Sequence, residues 1–300
     1  MESNHNFDVV FAGNYTKDTI ITPQGTRYVD GGGMNYAANA SARLGAKTGV
    51  ITHLAKEDDY VIRKISESGI TCFPVYTPNS TRVTLEYLTD DPDIRNLYVT
   101  SVADPIEGKE LDVLQTKWVA IGPSLRGEVG FEFIKHAKSL GIKIALDVQG
   151  YVRVLRGQDL CYEPWDEMHA ILPYVDVLKT DAVEAEFLTG KSNIREAALF
   201  FAGLGAKEIL LTHRDGLQVY ANGKYYDRKF HPETLIGRSG RGDTCVGSYV
   251  ASRITKEPAE ATTWSAAVTS LKMEKPCPYD RSLSELTSFI AKWYNHGSAD

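Results

Sequence analysis

The sequence predicts an α/β fold: a central, mainly parallel sheet covered by helices on both faces, with a small second sheet standing off it. Three observations predict this. From Trp118 onward, short apolar runs alternate with helical periodicity, the pattern of βα units. Two hairpin-like segments, around 19–29 and 81–100, interrupt the first units and have no place in a simple βα repeat. A glycine-rich turn then runs into a helix near the C-terminal end, at Gly237-Arg238-Ser239-Gly240-Arg241-Gly242-Asp243.

Composition narrows the classes. With 43% hydrophobic and 24% charged residues, the 300-residue chain can bury one sizeable core, so it is expected to form one domain over 1–300. The net charge of -6 and the absence of a basic run argue against nucleic acid as a partner. No apolar run approaches a membrane span and residues 1–6 show no signal pattern, so no membrane partner is expected. Cys72, Cys161, Cys245 and Cys277 are far apart and form no C-x-x-C pair, which fits a reducing cytoplasm.

Residues 7–12 (FDVVFA) form a short apolar run that reads as a buried strand ending at Gly13. Asp18 follows, then a hairpin whose turn is Pro23-Gln24-Gly25. Gly31, Gly32 and Gly33 lead into an Ala-rich helix ending at Gly45. The G-x-G-x-x-G spacing is missing, so this is not a dinucleotide fingerprint. Segment 48–55 reads as a second buried strand, 58–68 as a helix, and 81–88 with 96–100 as a second hairpin turning at 90–93. Arg82 and Arg95 sit on that hairpin, where arginine is usually just solvated.

The βα repeats follow: strands at 119–122, 143–148, 175–179 and 208–212, with helices at 129–140, 182–189 and 194–204. Segment 216–230 is a hairpin around Asn222-Gly223. Helices at 257–273 and 282–293 flank Lys275-Pro276-Cys277-Pro278-Tyr279. In such sheets ligands bind at the carboxyl ends of strands, and Asp147, Asp181 and Asp243 fall there.

The Gly240-Arg241-Gly242-Asp243 stretch carries chemistry. Glycines let successive N–H groups converge, and a following helix points its positive end at the same spot, which makes an anion nest. A carboxylate in a phosphate nest should repel its ligand. Asp243 either takes a proton from an attacking hydroxyl or simply caps the helix.

That stretch resembles the second signature, D-T-x-G-A-G-D, of the ribokinase-like (PfkB) family of carbohydrate kinases. The resemblance implies a ribokinase-like three-layer sandwich with a β-sheet lid, here from about 14–30 and 80–103. It implies Asp243 as catalytic base and Gly240, Arg241 and Gly242 as the hole for the transferred phosphoryl group. Gly237-Arg238 replaces the opening Asp-Thr, which leaves a monovalent-cation site doubtful. Gly31-Gly32 through Gly45 is similar to the first signature, with Tyr36 at the usual Asn, a pattern similar to inositol-kinase-like members. Asp18, Gly31, Gly32, Tyr36 and Asp147 are thereby implied on the acceptor, with Asp243.

Asp181-Ala182-Val183-Glu184 resembles the family's N-x-x-E, which implies that Glu184 meets Mg²⁺ through water; dipole complementation by Glu184 is the alternative. Thr212-His213-Arg214-Asp215-Gly216 stands at the T-x-G-x-x-G nucleotide loop without its middle glycine. ATP is implied as donor, with Asp181, Thr212, Arg214, Gly216, Gly240, Gly242 and Pro276 around it. The order of motifs over residues 7–294 indicates an ATP-dependent kinase of a small sugar or polyol, a cyclitol weakly favoured. A homodimer through the lid sheet is the partner the family suggests. The alternatives are a catalytically silent binding regulator and a nucleoside or vitamin-precursor kinase.

Overall fold

The computed structural model describes residues 6–89, 96–237 and 239–294. Among them are fifteen strands: β1 Asn6–Ala12, β2 Thr16–Thr22, β3 Gly25–Gly31, β4 Thr48–Leu54, β5 Thr71–Tyr76, β6 Thr81–Glu86, β7 Asn96–Ser101, β8 Gln115–Ile121, β9 Lys143–Asp147, β10 Arg153–Arg156, β11 Asp159–Tyr162, β12 Val177–Asp181, β13 Glu208–His213, β14 Gly216–Ala221 and β15 Lys224–Lys229. The large sheet has the order β15-β14-β13-β12-β9-β8-β1-β4-β5. Its strands from β5 to β13 run parallel, and β14 and β15 add an antiparallel edge.

Side-chain alternation explains the two helix layers. On β1, Val10 and Ala12 enter a core with Phe133, Ala185 and Phe201 from helices Phe131–Ser139, Ala182–Thr189 and Ile194–Gly203. Val9 and Phe11 point the other way, into a core with Met34, Ile65, Val246 and Ala261. Those residues come from helices Gly33–Arg43, Tyr60–Ser66, Arg241–Ser252 and Pro258–Met273. None of the helices among the described residues is long and apolar enough to cross a membrane.

The second sheet, expected from the two hairpins, has the order β10-β11-β7-β6-β2-β3. Its β10-β11 hairpin went unread in the sequence, because Arg153–Arg156 and Asp159–Tyr162 are only four residues each. β5 was also missed. It contains Pro74, which cannot donate to a ladder and is tolerated because β5 is the sheet edge.

The helix expected over 58–68 is shorter. A 3₁₀ turn at Lys56–Asp58 precedes helix Tyr60–Ser66. Asp58 is buried and held by Lys17 Nζ at 2.7 Å and the Ser80 hydroxyl at 2.6 Å, which fixes the chain before the helix starts. The turn read at 90–93, and Arg95, lie outside the described residues. Arg82 pairs with Glu57 on the surface.

Candidate active site

A cleft of about 610 Å³ opens between the two sheets. The small sheet supplies Asp18 with an apolar wall from Ile20, Val83 and Leu97, and the large sheet and its helix starts supply the polar floor.

The floor is built on close approaches. Gly240 has φ 74°, a left-handed conformation natural to glycine, and the Tyr36 ring lies where a Cβ would stand. A Cβ on Gly242 would come within 2.8 Å of Lys179 Nζ, and one on Gly33 within 2.5 Å of Asp243 Oδ1. Glycine at these three places lets Tyr36, Lys179 and Asp243 crowd the start of helix Arg241–Ser252. The N–H groups of that first turn have no acceptor within the helix and face the cleft with its positive end.

Asp243 stands in the first turn of this helix, whose N-cap is Gly240 with no side-chain capping bond. Asp243 is therefore not the N-cap residue, and its carboxylate accepts a hydrogen bond from its own N–H in the first turn. Burial raises the Asp243 pKa above the ordinary carboxylate value, and the charge of Asp147 adds to the rise. Lys179 and Arg153 pull it back. The carboxylate is thus more basic than an exposed one, while still half-buried on the cleft wall.

Lys179, on β12, organises the acidic side. Its ammonium lies 2.9 Å from Asp147 Oδ2 and 3.9 Å from Glu184 Oε2. Burial alone would lower its pKa, but the charges of Asp147, Glu184, Asp181 and Asp243 outweigh that and raise it. Lys179 stays charged. Asp147 also accepts the Gln149 N–H and is not among the cleft-lining residues, so it serves Lys179.

Glu184 is fully buried and, like Asp147, is not among the residues lining the cleft. With Asp181 it forms a reciprocal capping box: Glu184 N–H donates to Asp181 Oδ1 at 2.8 Å, and Asp181 N–H donates to Glu184 Oε2 at 2.9 Å. Its other oxygen, Oε1, is buried with no hydrogen-bond partner among the described residues, and burial raises the carboxyl pKa. An orphaned acceptor suits a hydrated Mg²⁺, which keeps most of its waters and takes few protein ligands. No cluster of three or more His, Cys, Asp or Glu side chains fit to hold a metal occurs among the described residues.

On the acceptor side, Gly31 leaves the space that the Asp18 carboxylate and the Thr16 hydroxyl fill. Tyr36 is 5% exposed, and its pKa is raised by burial and by the charges of Asp18 and Asp243. Of the residues expected around ATP, Asp181, Thr212 and Arg214 reach the cleft, with His213 and Arg241 beside them on its lining. Gly216 and Pro276 do not. Gly216 packs against the β15 backbone at Arg228, and Pro276 lies exposed beside Gly237.

A scan against family profiles matches residues 6–280 to the pfkB family carbohydrate kinase description. The chain belongs to the PfkB family of carbohydrate kinases. It is therefore a kinase, and the fold is that of ribokinases. It is 33% identical to a structure described as a sulfate complex of a pyrophosphate-dependent kinase in the ribokinase family (TM-score 0.87, 94% of this chain and 100% of that one). Another, at 32% identity and TM-score 0.86 (93% and 99% covered), is such a kinase complexed with a pyrophosphate analog and myo-inositol. The cytidine kinase of Thermococcus kodakarensis is 25% identical over 266 residues, 84% of this chain and 91% of that one.

Within this PfkB chain, sequence reasoning missed Arg153, Tyr162, Lys179 and His213 on the cleft wall. Lys179 carried a usable signal: a lysine inside an otherwise apolar parallel strand is expensive unless paired. Arg153 carried none, since its strand was not foreseen.

Proposed function

We propose that this kinase transfers a phosphoryl group to a hydroxyl of a small polyol, a cyclitol such as myo-inositol being favoured, with Asp243 as general base. The observation that carries this is the place of Asp243: half-buried at the positive end of helix Arg241–Ser252, on a cleft that it lines together with Asp18, Tyr36, Thr212 and Arg214. The acceptor hydroxyl meets Asp243 there and loses its proton to it while the first-turn N–H groups face the charge on the phosphoryl oxygens. Asp18 accepts hydrogen bonds from neighbouring hydroxyls, and Tyr36 with the apolar lid wall covers a ring face. The myo-inositol named for the 32%-identical neighbour supports the cyclitol.

Phosphoryl transfer of this kind needs positioning and charge stabilisation, and Mg²⁺, when bound, would supply part of the latter. Ribokinase-family kinases use ATP with Mg²⁺, which makes MgATP one donor. A second reading, inorganic pyrophosphate, is favoured by a specific observation. Arg153, Lys179, Arg214 and Arg241 all line the cleft, and Arg153 Nε is buried without a partner among the described residues. Gly216 and Pro276, two of the residues expected around ATP, are off its wall. The neighbours at 33% and 32% identity are described as pyrophosphate-dependent.

The test is a phosphorus-NMR screen with Mg²⁺ and either ATP or pyrophosphate, over inositols, ketoses, aldoses, sugar acids and nucleosides. A phosphorylated cyclitol is expected. Turnover of cytidine or ribose with no cyclitol activity would reject the acceptor assignment, and the donor that works decides between the two readings.

A further inference from the structure

An anion nest has a second side. A loop that turns successive N–H groups toward a ligand turns carbonyl groups away from it, and those carbonyls also need partners. Behind the Gly240–Gly242 turn that partner is Lys272, in the last turn of helix Pro258–Met273. Its ammonium donates to the carbonyl of Gly237 at 3.1 Å and to that of Ser239. It also stands 5.1 Å from the centroid of the Tyr36 ring, within cation–π reach. The backbone locks the same junction, because the N–H groups of Ile236 and Gly237 both donate to the Met273 carbonyl at 3.0 Å.

Lys272 is 1% exposed, and none of its hydrogen bonds among the described residues is to a carboxylate. An ammonium in that position is costly, and burial lowers its pKa to about 8. Complementing the helix C-terminus would not need it, since an exposed lysine does that from solvent. What the buried position adds is a positive charge under the phosphate-facing loop and a fixed contact to Tyr36, joining the donor and acceptor walls through one atom.

We propose that Lys272 is a positioning residue that acts as a tethered monovalent cation: its ammonium binds the outward carbonyls at Gly237 and Ser239 and holds the anion nest in its ligand-ready shape. This rests on the phosphoryl-transfer reading above. The chain is therefore independent of added potassium or ammonium ions, and removing the tethered charge creates a dependence on them.

The experiment compares the wild-type protein with Lys272→Met and Lys272→Gln in tetramethylammonium buffer, with potassium, ammonium or ethylammonium chloride added. Wild-type turnover should be flat across these salts. Both variants should lose ~10–10²-fold in kcat, the scale of a mispositioned or depleted anion hole. Ammonium or potassium should restore much of it, and a helix-terminus contact alone would not produce that rescue. The same salts should restore pyrophosphate binding, measured by calorimetry, in variants whose melting temperature is near wild type. Variants as active as wild type, a loss that no cation repairs, or a wild-type protein strongly activated by potassium would each overturn the proposal. Absence of turnover in the wild type with either donor would instead defeat the phosphoryl-transfer reading, and Lys272 would then be judged on the binding arm alone.

Discussion

Gly33 and Asp243 share one space: a Cβ on Gly33 would stand 2.5 Å from Oδ1 of Asp243. The first residue of one helix thus sets the position of the carboxylate in another, across 210 positions of sequence. Gly33→Ala should displace Asp243 by a few tenths of an ångström or more and lower kcat, because reacting groups tolerate little misplacement. The expected loss is about 10²-fold. Steady-state kinetics with far-UV circular dichroism checks it; a folded Gly33→Ala enzyme with wild-type kcat would show that Asp243 need not sit there.

Asp243→Asn should lower kcat by ~10²–10⁴-fold with donor binding nearly intact, the usual worth of a general base. Burial raises the Asp243 pKa, so wild-type activity should fall on acidification at a pH above the ordinary aspartate value. The stability sign runs opposite. A raised native pKa means the native state binds more protons between the unfolded and folded pKa values, so this group's contribution to stability rises as pH falls. At neutral pH its half-buried charge is a cost that Asn removes. Asp243→Asn should therefore melt higher than wild type at pH 7, by about 2–4 °C per kcal/mol relieved, and the gain should shrink in acid. Calorimetry at two pH values decides this, and an unchanged or lower melting temperature at pH 7 contradicts it.

Asp18→Ala should raise the acceptor KM much more than the donor KM, since Asp18 is proposed to bind the acceptor hydroxyls from the small sheet while Thr212 and Arg214 come from the far end of strand β13 in the large one. Loss of hydrogen bonds to a charged acceptor is worth ~1.5–3 kcal/mol each, so a rise of at least tenfold is expected. Equal effects on both constants would make Asp18 structural.

Tyr36→Phe removes one hydroxyl and keeps the ring that covers Gly240, so acceptor use should weaken by about tenfold or less. Tyr36→Asn removes the ring, and preference should move toward pentoses. Competition assays between myo-inositol and ribose measure the shift. A Tyr36→Asn enzyme with unchanged preference would take Tyr36 out of acceptor selection.

The sequence by itself determined the layer architecture, because apolar runs of strand length alternating with helical periodicity bury both faces of a sheet in only one way. It also singled out Gly240, Gly242 and Asp243 as the proposed chemical centre, since local backbone physics sufficed: left-handed glycine, a helix start and a carboxylate. Asp18, Gly32, Tyr36, Asp181, Thr212 and Arg214 came together on the cleft as read. Only the tertiary structure decided what depends on contacts between distant segments. Lys179 reads as a flaw in strand β12 until the fold brings Asp147 and Glu184 to it. Arg153 enters through a hairpin whose strands are too short to show a period. Gly216 and Pro276 were placed by motif order, but whether a loop residue faces a cleft is set by what packs behind it: the β15 backbone for one and Gly237 for the other. Lys272, 35 residues beyond Gly237, closes the same loop from behind because helix Pro258–Met273 ends against it. Local spacing cannot encode that meeting, since it is fixed by the packing of one helix on another.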